Sequence, residues 1–528
     1  MITGVLLLTL AGVAEKILGV IFKIPLSGYL GSVGMGYFNS AYSIFTTFYT
    51  VAVTGLPVAT TIMVSKSRAK GRILEVKRIF RVSVTMFVTV GIIGSAIMFF
   101  GADIIANLID KNNNAPYCIR AIAPILLLIC VSSSIRGFFQ GHKNMMPSAV
   151  SEFLDAFGKC ALGILFAWYA YTKGYSTEIS AAVAILGVVT GHLFGMGFLI
   201  ITKCVSKPDY SSLGVELDEM NSESMSAICK KMLVIALPVT LGSLALGLTA
   251  TVDTFTIMQV LGTNEGMGLY GDYTTLAVPL YRLPHALIVP ISTSLTPMLS
   301  AAISSGNREN AKSTLYSAFK MAAILSIPCS MGMGVLARPI ISMLFGRSYP
   351  FELIENTAPL LSVLSVGTFL MAMLTVSSSV LQSYGKQNLP VISMTCGIVV
   401  KLILNIVLIS SIGFIGAPIA TSASYFVMVA LNFVFAIKHT DLGASIFKAF
   451  LPPLIAMVCC VPVTVASFFL FAKVLPSEVL ATLLSVLVTA VLYTAALFLT
   501  RAFSKEDIMM LPKGKKIYNF LVRKKLMK

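Results

Sequence analysis

Charge is scarce in this sequence, and that scarcity decides its class. Only 12% of the 528 residues are Asp, Glu, Lys or Arg, 56% are hydrophobic, and the mean hydropathy is +0.88. Soluble domains carry about 25% charged residues. Acidic residues are the scarcer sign, 22 against 39 Lys and Arg, which leaves a formal net charge of +17. Alternating segments of roughly ten residues are missing, which argues against an outer-membrane barrel. Nine cysteines are scattered without a CxxC pair, and the adjacent Cys459-Cys460 reads as apolar filling rather than redox chemistry. Four histidines, His142, His192, His285 and His439, are too dispersed to imply a metal site. No Walker A sequence and no HExxH occurs. Gly266-Met267-Gly268-Leu269-Tyr270-Gly271 satisfies GxGxxG literally, yet no strand precedes it, so it reads as a loop between helices. These absences point away from an enzyme, an ATP-driven pump, and any resident metal or cofactor.

What the sequence does contain is one apolar run after another. Runs of about 20 residues are long enough to cross a bilayer as helix. They predict helices near 3–30, 36–64, 79–101, 117–140, 147–171, 179–202, 228–258, 271–302, 314–337, 355–383, 388–411, 413–437, 446–473 and 478–500. The expectation is an all-α, polytopic integral membrane protein of about 14 spans. Residues 1–14 have the look of a signal-peptide core, but no basic region precedes them and apolar sequence resumes beyond Glu15-Lys16. They read as the first half of helix one.

The chain also repeats itself. Leu30-Gly31-Ser32-Val33-Gly34-Met35-Gly36 returns, with one extra residue, as Leu261-Gly262-Thr263-Asn264-Glu265-Gly266-Met267-Gly268. Val131-Ser132-Ser133-Ser134-Ile135 ahead of Lys143 and Pro147 recurs as Val376-Ser377-Ser378-Ser379-Val380 ahead of Lys386 and Pro390, and Lys159 is answered by Lys401. Shared order at a shared separation suggests duplicated halves, which in membrane chains usually flank a central substrate path. The division expected is a six-helix half over 1–226, a second over 227–440, and two added helices with a basic tail over 441–528. An even number of helices per half implies parallel repeats about an axis normal to the membrane. Pro279, Pro284 and Pro290 crowd the eighth helix and predict a bend there.

Orientation follows from Lys and Arg in alternate loops. One side collects 28, including the Lys66–Arg81 cluster, Arg136, Lys143 and the tail; the other has six, and five lie at membrane depth. Both termini are therefore expected in the cytoplasm of a cell-membrane protein. The net positive charge is mostly topogenic, with the tail touching anionic lipid headgroups, and nucleic acid is not an expected partner.

Ionisable residues at membrane depth are costly, about 2.5–3.5 kcal/mol each on insertion scales, and so face protein or a watery cavity. The basic ones are Lys16, Lys23, Lys159, Arg282 and Lys401; the acidic ones are Glu15, Asp155 and Asp253, with Glu152 nearer an end. Asp155 and Lys159, four residues apart, are expected to form a structural ion pair on one helical face. Lys23 has a bland reading, snorkelling to an interface. Arg282, mid-helix beside His285 and between two prolines, does not. A basic surplus in a cavity suits an anionic substrate such as phosphate or pyrophosphate.

Three stretches resemble a known family. Glu15-Lys16-Ile17-Leu18-Gly19-Val20-Ile21-Phe22-Lys23-Ile24-Pro25-Leu26, followed by Leu30-Gly31 and Gly34, resembles the opening of stage V sporulation protein B and related polysaccharide-export proteins. Ile135-Arg136-Gly137-Phe138-Phe139-Gln140-Gly141, with Asn144-Met145-Met146-Pro147-Ser148-Ala149-Val150-Ser151, is similar to that family's RGxxQGxxxMxPxAxS stretch. Tyr281-Arg282-Leu283-Pro284 with Leu295-Thr296-Pro297 resembles its eighth helix. The resemblance spans essentially the whole chain. It implies the multidrug/oligosaccharidyl-lipid/polysaccharide exporter superfamily, two six-helix lobes forming a V, and alternating access; the lipid II flippases belong to the same branch. It also implies Lys16, Lys23 and Arg282 as cavity cations contacting a lipid-linked pyrophosphate. Relatives commonly carry arginine where this chain has Lys16 and Lys23, and the lipid II flippases often place aspartate where it has Ile24.

The function expected is a flippase for an undecaprenyl-pyrophosphate-linked saccharide, such as lipid II or another cell-wall or spore-cortex intermediate. Its partners would be that lipid-linked saccharide, membrane lipids and cell-wall synthesis proteins. Two rivals are a cation-coupled multidrug exporter, which would favour an acidic cavity, and a non-transporting scaffold for envelope assembly.

Overall fold

The computed structural model describes residues 2–109, 115–206, 224–440, 446, 449–499 and 519. Among the described residues the regular structure is entirely helical, as expected of a chain whose backbone must satisfy its own hydrogen bonds in hydrocarbon. Helix lies within each of the fourteen expected ranges, the thirteenth helix beginning at Leu451 rather than at 446. Ten helical stretches among the described residues are long and apolar enough to span a bilayer, and the longest, 11–68, contains the second expected span and most of the first. The protein is a polytopic, all-helical membrane protein.

Two compact units make up the chain, residues 1–275 and 276–528. The first contains α1 (Ile2–Val53), α2 (Gly55–Ala69), α3 (Ile73–Phe100), α4 (Ala102–Ile109), α5 (Pro116–Gly141), α6 (Met146–Thr172), α7 (Thr177–Val205), α8 (Met225–Leu261) and α9 (Thr263–Asp272). A π-helical turn, Tyr273–Ala277, straddles the boundary. The second contains α10 (Val278–Arg282), α11 (His285–Ser304), α12 (Arg308–Val335), α13 (Ala337–Phe345), α14 (Phe351–Ser383), α15 (Asn388–Ile412), α16 (Gly416–His439), α17 (Leu451–Val474) and α18 (Glu478–Leu499). The packing boundary thus differs from the repeat boundary drawn at 226/227, because α8 and α9 pack on α1, α2 and α3.

The repeat is visible in the backbone. Gly31 breaks α1 at φ 64°, ψ −178°, and Gly262 separates α8 from α9 at φ 78°, ψ 165°. Both conformations are ones that a side chain disfavours and glycine accepts. The two glycine motifs then meet each other: a Cβ at Gly36 would collide with Met267 O, and one at Gly271 with Ser32 O. The later pair of matches also turns alike. Lys143 (φ 60°) donates its N–H to Gln140 O at 2.9 Å, and Gly385 (φ 72°) donates to Gln382 O at 3.0 Å.

Helices α6 and α7 form the closest seam of the first unit. Gly187, Gly191 and Gly195 recur every four residues on α7 and face Gly158, Gly163 and the Ser151–Asp155 turn of α6. Small residues at that spacing let backbones touch, which is how helices associate where no hydrophobic drive exists between them. In the second unit, the added helices α17 and α18 pack on each other, with α17 on α12 and α18 on α13. Arg338 anchors α18 by reaching Glu355 on α14 and Glu478 at 3.4 Å, and Tyr493 donates to Ile324 O at 3.1 Å.

The glycine seam predicts a sharp contrast on one helix. A side chain at Gly191 would collide with the backbone of Gly158 and Lys159, whereas Gly197 has nothing within 4 Å. Gly191→Val should destabilise the protein by about 1–3 kcal/mol, the usual cost of overpacking, and Gly197→Ala should leave it unchanged. Thermal unfolding of the purified variants in detergent measures both; equal melting temperatures would contradict the seam.

Candidate functional site

Lys16 and Lys23 lie on one face of α1, seven residues or two helical turns apart. Lys16 is exposed, and Lys23 is half-buried. The Lys23 ammonium donates to Asn39 Oδ1 at 3.2 Å and to the backbone carbonyl of Thr274 at 2.7 Å. The latter bond has a local cause. In a π-turn a carbonyl pairs with the N–H five residues on, and for Thr274 that residue is Pro279, which has none. Lys23 supplies the missing donor. Asn39 completes the arrangement by donating Nδ2 to Thr275 Oγ1 at 2.9 Å. An ammonium group at membrane depth is thus fixed between an amide and a turn that proline prevents from closing.

A second polar centre lies deeper in the same unit, and it corrects the expected Asp155–Lys159 pair. Asp155 Oδ2 meets the Arg136 guanidinium at 3.3 Å and Oδ1 meets His192 Nδ1. No ion pair within 4 Å joins Asp155 to Lys159. The physical reason is the glycine seam. With α7 pressed onto α6 at Gly191 and Gly195, His192 reaches Asp155 across the interface, while α5 presents Arg136 from the other side. Arg136 Nε also donates to Ser151 Oγ at 2.9 Å, Ser151 in turn donates to Ser148 O at 2.8 Å, and His192 Nε2 lies 3.4 Å from Ser132 Oγ. Arg136, counted as a loop charge on sequence grounds, is a half-buried residue within α5. The three ionisable groups come from three helices, so no sequence spacing could have revealed them. The quoted RGxxQG and PxAxS motifs carried two of their supports, Arg136 and Ser151.

Arg282 belongs to the second unit, at the end of the five-residue α10. The helix stops there because Pro284 cannot donate to Leu280 O, which accepts instead from Leu283 N at 3.1 Å. The bend expected from three prolines is thus a break. Arg282 Nε donates to Tyr281 Oη at 3.1 Å, and the guanidinium lies 5.6 Å from the Tyr281 ring centroid. Tyr281 is itself buried and accepts Thr368 Oγ1 on its backbone carbonyl at 2.9 Å. His285 Nε2 lies 2.9 Å from Thr375 Oγ1. Arg282 therefore stands on a seat built by α14.

Comparison with known proteins gives a consistent picture. A family model described as polysaccharide biosynthesis protein matches residues 1–303, and a second, described as MatE, matches residues 274–407. The chain is 26% identical over 460 residues to the lipid II flippase MurJ of Bacillus subtilis, covering 84% of each chain. It is 23% identical over 519 residues to stage V sporulation protein B of the same organism, covering 96% of this chain and 97% of the relative. Among solved structures, the lipid II flippase MurJ in an inward closed conformation superposes with a TM-score of 0.68 at 16% identity, covering 93% of this chain and 98% of the other. At that identity the likeness establishes the fold.

The Arg136–Asp155–His192 centre makes a stability prediction. Removing one member of a buried ion pair leaves its partner's charge uncompensated and costs about 3–5 kcal/mol. Asp155→Asn and Arg136→Gln should each lower the melting temperature strongly. The double variant should lose less than the sum of the two, because the groups share one network. Strict additivity in that cycle would show that the pair contributes nothing jointly.

Proposed function

Because the chain belongs to the polysaccharide biosynthesis protein family, we propose that it is a flippase moving an undecaprenyl-pyrophosphate-linked saccharide across the cell membrane. The observation that carries this reading is Lys23, an ammonium group held in place on a membrane helix by Asn39 and the carbonyl of Thr274. A cation fixed at membrane depth favours an anionic cargo, and a pyrophosphate offers the oxygens to meet it. The relatives named as a lipid II flippase and as a sporulation protein support a cell-wall or spore-cortex saccharide. Lys16, Lys23 and Arg282 are the proposed cargo-contacting cations. The cargo crosses chemically unchanged, by alternating access, with the lipid tail remaining in the bilayer. Cell-wall synthesis proteins are the proposed further partners.

One observation favours a second reading: the MatE model matches residues 274–407, which suits a cation-coupled multidrug exporter. Such an exporter binds cationic cargo and needs carboxylates to do so. Lys23 and Arg282 are of the opposite sign, so the flippase reading is preferred.

Purified variants in vesicles holding a labelled lipid-linked saccharide test the site. Removing a charge-assisted contact costs about 1.5–3 kcal/mol, or roughly 10- to 100-fold in affinity. Lys23→Gln and Arg282→Gln should each lose binding and flipping by about that factor while melting normally. Arg282→Lys should recover little, because a point charge cannot reproduce the guanidinium fork, whereas Lys23→Arg should be tolerated. Wild-type flipping by the Lys23→Gln/Arg282→Gln double variant would remove the support for an anionic cargo.

The orientation proposed has both termini in the cytoplasm. Lys66, Lys70, Arg72, Lys230 and Lys231 surround one cavity at one end of the first unit, and Arg68 donates to His142 O at 2.6 Å beside the next basic loop. Loops assigned to one side by their charge are thus neighbours. Lys70→Cys in a cysteine-free background should resist an impermeant thiol reagent added to intact cells and react once the membrane is opened. Labelling from outside would reverse the topology.

A further inference from the structure

At that basic end, α2, α3 and α8 enclose a cavity of about 630 Å³ that lies wholly within the first unit. Its size is within the range of small-molecule sites, about 300–1,000 Å³. Among the described residues five cations line it, Lys66, Lys70, Arg72, Lys230 and Lys231, against one carboxylate, Glu75. That carboxylate is already engaged. Its Oε1 accepts from Ser67 Oγ at 2.8 Å and its Oε2 from Arg72 Nη1 at 3.3 Å. The salt bridge engages Arg72, and Lys66, Lys70, Lys230 and Lys231 also line the space. Two of them, Lys66 near the end of α2 and Lys70 just past it, stand four residues apart, and Lys230 and Lys231 are adjacent on α8. Like charges so placed repel one another. Positive-inside topology explains lysines at this end of the protein, but it does not require four of them to converge on one hollow.

We propose that this cavity is a binding site for the phosphate group of an anionic membrane phospholipid, separate from the cargo cations. Charge complementarity selects an anion, and the rest of the lining selects a lipid. Inward of the lysines the wall becomes apolar, with Met63, Val234 and Ile235. It continues onto the outer face of α8, where Val234 is 66% exposed and Leu237 55%. A headgroup seated among the lysines would therefore run its acyl chains along α8 in the hydrocarbon. A free phosphate would leave that apolar wall unused. Basic pockets between membrane helices at the cytoplasmic face are suited to such headgroups. The first turn of α8 adds favourable polarity, because Ala227 of that turn lines the cavity and a helix N-terminus attracts anions. A lipid bound here would bridge α8 to the α2–α3 turn.

The test uses the full-length protein in detergent, titrated with phosphatidylglycerol or phosphatidylcholine of matched acyl chains. Bound lipid is counted by native mass spectrometry, and stabilisation is read from thermal melting. Wild type should retain phosphatidylglycerol and be stabilised by it, and should not retain phosphatidylcholine. The Lys66→Gln/Lys70→Gln/Lys230→Gln/Lys231→Gln variant should bind phosphatidylglycerol about tenfold more weakly or worse. Lys77→Gln/Arg81→Gln, which removes two α3 charges that do not line the cavity, should bind as wild type does. If the quadruple variant does not fold, Lys230→Gln/Lys231→Gln serves with the same expectation. Undiminished phosphatidylglycerol binding by the cavity variants overturns the proposal, and so does an equal loss in the α3 control. Inorganic phosphate that stabilises the protein and displaces phosphatidylglycerol at equal concentration would mark a soluble-anion site and overturn the lipid.

Discussion

A carbonyl that loses its helical partner within a bilayer has to find another donor, since no bulk water is there to supply one. Much of what distinguishes this protein follows from that constraint at the turn around Thr274. Pro279 cannot supply the N–H, the turn opens to π geometry, and Lys23 of α1 donates to the orphaned oxygen. The bond satisfies two needs together. It compensates a broken backbone and gives a membrane-depth ammonium a defined position instead of a snorkelling one. Asn39 then fixes the geometry from both sides, accepting from Lys23 and donating to Thr275.

The same economy of partners governs the interior of the first unit. An aspartate buried among α5, α6 and α7 is tolerable because Arg136 and His192 both reach it, and they reach it because glycine brings the helices together. Replacing backbone contact at Gly191 with a side chain would move His192 away from Asp155 as well as separating the helices. Packing and electrostatics are therefore one property here, and a change in either is felt in the other.

Fold class was legible in the sequence because bilayer thickness imposes its own length scale on apolar runs, and helix lies within each of the fourteen expected ranges. The Gly31 and Gly262 repeat was equally legible, since both positions need a backbone that only glycine accepts readily. The serine runs were less faithful guides. Measured to the turn residues, Ser134 lies six residues before Gln140 but Ser379 only three before Gln382, so the runs are out of step by about one helical turn. The placement of Asp155 was misread for a related reason. Spacing of four on one helix reports what can pair locally, whereas partners on neighbouring helices are set by how closely the helices approach. Asn39 was invisible on composition grounds, being a neutral residue whose importance lies in the groups on either side of it.

The two units also differ in how they hold their buried serines. In the first, Ser132 faces His192, which is itself joined to Asp155 and through it to Arg136. In the second, Ser377 and Ser378 accept from the neutral amide of Asn432 at 3.1 and 3.0 Å. The buried serines thus face an ionisable group in one unit and a neutral amide in the other, although the second unit buries cations of its own, Lys320 and Lys401.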